Sequence, residues 1–182
     1  EGADHVINLV GILFEGGGQR FDAVQAFGAR AVAEAARAVK AKVTHVSAIG
    51  ADKNSGSDYA RTKGEAEAAV LETVKDAVIL RPSIIFGPED QFFNRFASLS
   101  RFAPALPLIG GGTTRFAPVF VGDVAEAVAR LIDKSEADGR TYELGGPEVL
   151  TFKQLMAFTL ETVGRNRLLV PVPWTLARIQ AM

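Results

Sequence analysis

Three side chains in the first part of the sequence have the types and spacing needed to move a proton beside a bound ligand. Tyr59 and Lys63 are four residues apart, so on a helix both side chains project from one face. An ammonium beside a phenol favours the phenolate and lowers the tyrosine pKa from about 10 towards neutral pH. Ser47 ends an apolar segment upstream, and its hydroxyl is suited to bind the same substrate oxygen. We therefore predict a catalytic set in which Tyr59 is the general acid/base.

The segments around these residues predict alternating strands and helices. Apolar, β-branched runs at residues 5–11, 43–47 and 77–85 indicate buried strands, and helical patterns cover residues 21–40 and 58–74. Strands separated by helices of this length indicate βαβ units and a parallel sheet. Open parallel sheets bind ligands at the carboxyl ends of their strands. Ser47 is therefore expected at the ligand-binding edge, with Tyr59 and Lys63 on the helix that follows.

The second half has a mixed pattern. Five of the twelve phenylalanines fall between Phe86 and Phe102, which favours a core helix and hinge. The other expected elements are a helix from 92, a Pro/Gly-rich connection at 102–112, a strand at 116–121, an amphipathic helix at 123–133, a strand at 141–144, a helix opened by a Thr151–Gln154 capping box, and an extended segment at 170–174 before a final helix. We predict two regions, residues 1–88 and 89–182, with some later segments returning to the sheet.

Composition excludes several classes of function. The 182 residues carry 20 Lys+Arg and 21 Asp+Glu, so the formal charge of −1 gives no electrostatic case for a nucleic-acid binder. The chain has no cysteine, so a thiolate nucleophile is excluded. It has only two histidines, His5 and His45, and we predict no metal site. The longest apolar run, residues 6–14, is too short to span a bilayer. We expect a cytoplasmic protein, with peripheral attachment to the inner membrane through a partner complex as an alternative.

Other polar and glycine-rich features receive structural interpretations. The triple glycine at residues 16–18 predicts a flexible turn rather than a phosphate-binding loop, because it lacks the required spacing and helix start. His45 stands between apolar neighbours on a strand and is expected to be structural. Glu65 and Glu67 are expected to be solvent-facing charges on the Tyr59 helix.

Four segments carry a resemblance to a known family: Val46-Ser-Ala48, Tyr59-Ala-Arg-Thr-Lys63, Leu80-Arg-Pro-Ser-Ile-Ile-Phe-Gly-Pro88 and Pro118-Val-Phe-Val-Gly-Asp-Val124. In order and spacing they resemble the extended and atypical short-chain dehydrogenases/reductases, the NAD-dependent epimerase/dehydratase-like proteins. A narrower similarity, carried by Asn8-Leu-Val-Gly11, Ile85-Phe-Gly-Pro-Glu-Asp90 and the segment 92–102, is to the nucleotide-binding accessory subunit of respiratory complex I and its bacterial relatives.

The resemblance implies an α/β fold with a Rossmann-type, doubly wound parallel sheet and a smaller mixed C-terminal region. It also implies a bound NADP(H) or NAD(H), with NADP(H) favoured by the family likeness. The implied cofactor contacts come from Val10 and Gly11 near the ribose and phosphate, Ser47 beside the reactive ring, Tyr59 and Lys63 against the nicotinamide ribose, and Pro82, Ser83 and Ile84 at the nicotinamide end.

Two departures from the family pattern limit these expectations. The glycine fingerprint for the pyrophosphate is missing, so we expect the first strands of the sheet to lie outside this chain. Sugar-nucleotide epimerases carry an Asn-x-x-Gly pattern before the serine strand, whereas this chain has Gln25-Ala-Phe-Gly28.

Three functions stay open on the sequence. The first is a complex I accessory-type protein with a tightly held, structural nucleotide and with respiratory subunits as partners. The second is an active NAD(P)-dependent oxidoreductase or epimerase/dehydratase that uses Tyr59. The third is a non-catalytic nucleotide sensor.

Overall fold

The chain passes between two structural units three times. In the computed structural model, which describes residues 2–132, 134 and 137–173, the first unit comprises Glu1–Ser83 and Asp123–Leu144. The second unit comprises Ile84–Gly122 and Gly145–Met182. Each unit therefore contains two stretches of sequence that are far apart along the chain.

The described residues form ten strands and five α-helices. The strands are β1 (His5–Asn8), β2 (Lys42–Val46), β3 (Val78–Pro82), β4 (Ile85–Phe86), β5 (Ala105–Ile109), β6 (Arg115–Phe116), β7 (Val119–Phe120), β8 (Thr141–Leu144), β9 (Leu150–Thr151) and β10 (Leu168–Val172). The helices are α1 (Gly28–Ala38), α2 (Asp58–Thr73), α3 (Phe93–Phe102), α4 (Val121–Ile132) and α5 (Phe152–Thr162). A π-helical turn, Asp22–Phe27, leads directly into α1, and Gly110–Gly112 forms a short 3₁₀ turn.

The first unit is built on a four-stranded parallel sheet with the order β1-β2-β3-β8. Successive side chains of a strand point to opposite faces, and β3 uses both faces for packing. Ile79 joins a core cluster with alanines of α1 and α2, whereas Val78 and Leu80 pack in a separate cluster that includes Leu131 of α4. The sheet is therefore covered by helices on both faces, as the doubly wound prediction requires.

The second unit contains three two-stranded pairings around an aromatic core. Strand β10 pairs in parallel with β5, β4 pairs in parallel with β7, and β6 pairs antiparallel with β9. Leu106 and Leu108 of β5 are buried with Leu155 and Met156 of α5. Several phenylalanine rings pack on this cluster, including Phe92, Phe93, Phe96, Phe116 and Phe152.

Most predicted elements are present, but three predicted strands differ. The strand at 5–11 ends at Asn8, and the strand at 77–85 is broken into β3 and β4. The strand at 116–121 is divided into β6 and β7, which pair with different strands. Strand β8 has the predicted bounds, and the Thr151–Gln154 capping box opens α5 as predicted. The predicted connection at 102–112 is wrong, because it contains β5, whose Pro107 is accommodated in pairing with β10. The predicted final helix lies outside the described residues. No helix in the described part of the chain is long and apolar enough to cross a membrane.

Candidate active site

The candidate site lies in the first unit, at the carboxyl ends of its parallel strands. Ser47 follows β2 immediately, and its backbone N–H donates to the Leu80 carbonyl at 2.7 Å. This bond continues the ladder one residue past β2, so the Ser47 side chain is held at the sheet edge. Ser47 is only 4% exposed, and its hydroxyl Oγ has no hydrogen-bond partner among the described residues. A buried hydroxyl with free bonding capacity is a ready contact for a ligand oxygen or amide.

Lys63 lies on α2, and its side chain reaches the carboxyl ends of both β1 and β2. Its side chain is 5% exposed, and Nζ donates to the Val46 carbonyl of β2 at 3.5 Å. A Cβ placed on Gly11, beyond the end of β1, would lie 3.0 Å from Lys63 Nζ. The absence of a side chain at Gly11 therefore provides the space that the Lys63 ammonium occupies. Burial lowers the pKa of Lys63, and the nearby Glu67 carboxylate partly opposes that shift.

Tyr59 occupies the first turn of α2 and is half-buried. Its ring makes an edge-to-face contact with Phe21, with 6.0 Å between the ring centroids. Burial raises the pKa of Tyr59 above its ordinary value, because a desolvated phenol resists ionisation. The expectation that Lys63 lowers this pKa is therefore wrong for the protein alone. Tyr59 is suited to donate a proton, and acting as a base would require added positive charge.

A close approach fixes α2 against the loop that follows Ser47. A Cβ on Gly64 would lie 2.3 Å from the Lys53 backbone nitrogen and 2.6 Å from the Asp52 carbonyl carbon. The Asp52 N–H also donates to the Ala60 carbonyl at 3.0 Å. Only glycine permits this approach, which sets the distance between the Ser47 strand and the helix that carries Tyr59 and Lys63.

A partly buried ion pair joins α2 to β3. Glu67 is 6% exposed and accepts from Arg81 Nε at 2.9 Å and Nη2 at 2.7 Å, a bidentate arrangement. The Glu67 hydrogen bond is the main cause that raises the pKa of Arg81. Glu67 was expected to face solvent, and this is wrong because the guanidinium on β3 compensates its charge. Glu65, which pairs with Arg61 one turn earlier, is half-exposed.

The remaining predicted cofactor residues are divided between the two units. The Val10 N–H donates to Asn8 Oδ1 at 3.1 Å. The Pro82 carbonyl accepts from the Ile49 N–H at 3.0 Å, and the Ser83 N–H donates to the Leu144 carbonyl at 2.9 Å, all within the first unit. Ile84 belongs to the second unit, where its carbonyl accepts from the Val119 N–H.

Two polar side chains that the sequence analysis did not connect form a buried pair in the sheet. Asn8 and His45 are register partners in β1 and β2, and Asn8 Nδ2 donates to His45 Nδ1 at 3.1 Å. Burial, reinforced by the Lys63 charge, lowers the pKa of His45 to about 4, so the imidazole is neutral at pH 7. The signal in the sequence was that Asn8 and His45 each interrupt an apolar strand near its carboxyl end.

The structure also shows what the triple glycine at residues 16–18 and the Gln25 side chain do. Gly16 forms an isolated antiparallel bridge with Gln19, and no atoms outside their chain neighbours approach the Cβ positions of residues 16–18. The segment is a turn, as predicted. Gln25 lies in the π-helical turn, where its buried Nε2 donates to the Ile12 carbonyl at 3.2 Å while Oε1 has no partner among the described residues.

A separate cavity opens in the second unit. It is an open cleft of about 500 Å³, lined by the segment from Ile85 to Asp90 together with Val121. Four of its seven lining residues are apolar (Ile85, Phe86, Pro88 and Val121), and two are acidic (Glu89 and Asp90). A Cβ on Gly87 would lie 2.7 Å from Val121 Cγ1, so only glycine at this position lets the Val121 side chain pack directly against the backbone of residue 87.

These features define the class of protein. A parallel sheet with helices on both faces, with a serine at a strand end and a Tyr-x-x-x-Lys pair on the next helix, is a Rossmann-type fold with the side chains of the short-chain dehydrogenases/reductases. The sequence profile of the NAD dependent epimerase/dehydratase family matches residues 2–145. The chain belongs to this family, and the resemblance identified from the sequence is confirmed.

Comparison with individual proteins places the chain among known relatives. It is 37% identical over 182 residues to NADH dehydrogenase [ubiquinone] 1 alpha subcomplex subunit 9 of Arabidopsis thaliana, covering 98% of this chain and 45% of that protein. It is 33% identical over 180 residues to ceramide reductase of Caulobacter vibrioides, covering 95% of this chain and 54% of that protein. The chain thus spans about half the length of these relatives.

A solved structure supports the fold independently. The dTDP-4-dehydrorhamnose reductase of Bacillus anthracis, in complex with NADP, superposes with a TM-score of 0.77 at 17% identity, covering 96% of this chain and 67% of that one. At this level of identity the similarity establishes the fold. The expected Rossmann-type architecture is confirmed.

Proposed function

We propose that this chain supplies the nicotinamide-side half of a dinucleotide site in a complex I accessory-type protein, in which the nucleotide is held tightly. The observation that carries the proposal is the Lys63 ammonium, buried between the Val46 carbonyl and Gly11 with hydrogen-bonding capacity left over. A lysine with one long hydrogen bond in a buried position is costly unless a further acceptor completes it. A ribose hydroxyl pair is an acceptor of the right kind and size.

The residues present fit the nicotinamide and its ribose. Ser47 Oγ is buried and unpartnered in the described structure, Lys63 retains donors, and Gly11 leaves space above the end of β1. We propose that Val10 and Gly11 border the ribose and phosphate, that Tyr59 and Lys63 bind the ribose, and that Pro82, Ser83 and Ile84 contact the nicotinamide end. When bound, the dinucleotide supplies a hydride donor or acceptor.

The accessory-subunit role rests on the relatives. The 37% identity to a complex I subunit over the whole chain supports respiratory subunits as partners and an attachment to the membrane through them. NADP(H) is the proposed nucleotide, with NAD(H) as the alternative. In this role the Ser47, Tyr59 and Lys63 set binds the nucleotide without turnover.

The test is to purify the full-length protein and to identify nucleotide released on denaturation by chromatography and mass spectrometry. We expect NADP(H) or NAD(H) near one equivalent, and a loss of most of it in Lys63→Met. Lys75→Met removes an exposed lysine of the same unit and serves as the matched control, with unchanged occupancy. Absence of dinucleotide from the wild-type protein, or equal occupancy in both variants, would refute the proposal.

A second candidate is a reductase that acts on a carbonyl of an apolar substrate. The 33% identity to ceramide reductase and the four apolar residues that line the cleft of the second unit favour it. Here Ser47 orients the carbonyl oxygen and Tyr59, whose raised pKa keeps it protonated, donates the proton to that oxygen. Oxidation of the bound reduced nucleotide by long-chain carbonyl compounds, abolished by Tyr59→Phe and kept by Tyr142→Phe, would establish this activity. No turnover with any carbonyl, at full occupancy, supports the accessory role.

A further inference from the structure

The end of β1 is fixed by a single carboxamide that forms two hydrogen bonds. Asn8 Oδ1 accepts from the Val10 N–H at 3.1 Å, two residues along the chain. The other end of the same group, Nδ2, donates to His45 Nδ1 at 3.1 Å across the sheet. Asn8 is 3% exposed and His45 is 1% exposed, so water does not compete for these bonds. The backbone of Val10 and Gly11 is therefore tied to β2 through one side chain.

These two bonds determine the tautomer of His45. Because Asn8 Oδ1 accepts from Val10, its Nδ2 faces His45 and donates to Nδ1. The proton of the neutral imidazole is then on Nε2, which is buried and has no hydrogen-bond partner among the described residues. Burial and the nearby Lys63 charge keep the imidazole neutral, with its pKa near 4. A second positive charge is thus kept away from Lys63. The neutral imidazole accepts a hydrogen bond from Asn8, so of Asn8, His45 and Lys63 only Lys63 carries a positive charge.

The position of Gly11, three residues beyond the end of β1, matters because its backbone packs closely against the Lys63 ammonium. The space above Gly11 is filled by Lys63 Nζ, which lies 3.0 Å from where a Cβ would be. A backbone shift of a few tenths of an ångström at Gly11 would press on the ammonium or open a gap beside it. Local movements of this size change the alignment of a ligand that bridges both groups.

We propose that Asn8 is a positioning residue for the dinucleotide. Through its hydrogen bonds to Val10 on one side and to His45 on the other, it holds Gly11 at the distance from Lys63 that ribose binding requires. This role rests on the proposed function, since it concerns the same half-site. Asn8 and His45 do not touch the reacting atoms; they act through Gly11 and Lys63.

The experiment uses the full-length protein and two readouts. The first is the ¹⁵N chemical shifts of the His45 imidazole, which report the tautomer independently of any ligand. The second is the affinity for NADPH, followed by its fluorescence on binding. We expect the wild-type protein to show the Nε2–H tautomer and to bind NADPH.

Four variants separate positioning from general damage. Asn8→Ala removes both hydrogen bonds and is expected to weaken NADPH binding about tenfold, the effect of losing about one net hydrogen bond. Asn8→Asp keeps the acceptor for Val10 but turns the donor towards His45 into an acceptor, so it is expected to move the imidazole proton to Nδ1 and to weaken binding. His45→Gln keeps a neutral acceptor for Asn8 and is expected to keep most of the wild-type affinity for NADPH. Asn54→Asp, on an exposed loop, controls for added charge.

The outcomes distinguish the two proposals. If the wild-type protein binds no dinucleotide, the proposed function fails and the positioning role fails with it. If the wild-type protein binds NADPH and folded Asn8→Ala binds it equally well, the positioning role alone is overturned. An Nδ1–H tautomer in the wild-type protein would also overturn it, whatever the affinity.

Discussion

The buried His45 makes the stability of the first unit depend on pH in a defined window. Its pKa is about 4 in the folded chain and 6.5 when the residue is solvated. Below pH 6.5 the unfolded chain therefore binds a proton that the folded chain refuses until about pH 4. The folded state loses stability as the pH falls through this window, and the loss stops growing below it.

The size of this loss follows from the two pKa values. At about 1.36 kcal/mol per pKa unit, the full difference corresponds to about 3 kcal/mol of unfolding free energy. At pH 5 the unfolded histidine is nearly fully protonated and the folded one is not, so about 2 kcal/mol of the loss is already present. Between pH 7 and 8 this residue changes the unfolding free energy by only about 0.1–0.2 kcal/mol.

The perturbation that isolates the effect is His45→Gln, which keeps an acceptor for Asn8 and does not titrate. Unfolding free energies of both proteins are measured by denaturant titration at pH 8 and pH 5. We expect the wild-type protein to lose about 2 kcal/mol more than the variant between these two conditions. The His45 pKa is measured directly by NMR titration of the ring carbons.

The cause of the shift can be tested with a second substitution. Lys63→Met removes the positive charge and is expected to raise the His45 pKa, but not to 6.5, because burial is the larger cause. A wild-type His45 pKa of about 6 or higher would refute the reasoning. So would a stability difference between wild type and His45→Gln that stays constant from pH 8 to pH 5.

Three further substitutions test the packing around the site, each by denaturant unfolding. Gly64→Ala is expected to cost about 2–3 kcal/mol, since its Cβ would meet backbone atoms at 2.3 Å, whereas Gly56→Ala, with open space around it, is expected to be tolerated; equal stability of the two variants would contradict the close approach. Glu67→Gln is expected to cost about 1–3 kcal/mol because it leaves the Arg81 guanidinium without its bidentate partner; a neutral effect would mean that the pair is not formed. Thr151→Ala is expected to cost about 1 kcal/mol by removing the side-chain cap of α5; an unchanged unfolding midpoint would contradict it.

The parts of the site that follow from local sequence were predictable. A strand ending near Ser47 and a helix carrying Tyr59 and Lys63 depend on apolar periodicity and on spacing along a helix, which a sequence displays directly. Helix α2 begins at Asp58, as the helical pattern over residues 58–74 predicts, although its N-cap residue is Ser57 and no side chain caps it. Strand β3 ends at Pro82, a residue that has no N–H to donate to a sheet. The hydrogen bonds of α2 join near neighbours in the chain. Strands β2 and β3 show in the sequence as apolar runs, although their pairing joins residues that are far apart in the chain.

The features that were missed depend on partners far away in the sequence. Glu67 has the pattern of an exposed helix residue, and its burial follows from Arg81 on another element. Strand β5 contains Pro107 and lies in a Pro/Gly-rich segment, and its strand character comes from pairing with β10 some sixty residues later. The pairing of Asn8 with His45 required the register of two strands, which composition and periodicity do not reveal.

The way in which the chain alternates between the two units has a consequence for its biosynthesis. Strand β8 joins the sheet of the first unit beside β3, and α4 covers the face that carries Val78 and Leu80. Most of α4 and all of β8 are translated after the stretch Ile84–Gly122 of the other unit. On the ribosome, Val78 and Leu80 therefore emerge well before the residues that bury them. Co-translational folding therefore cannot bury this face before Leu144 has left the exit tunnel, and the apolar face stays exposed to solvent during that interval. A truncation after Ser83 would retain Ser47, Tyr59 and Lys63 yet leave that face open, so such a fragment is expected to aggregate during expression.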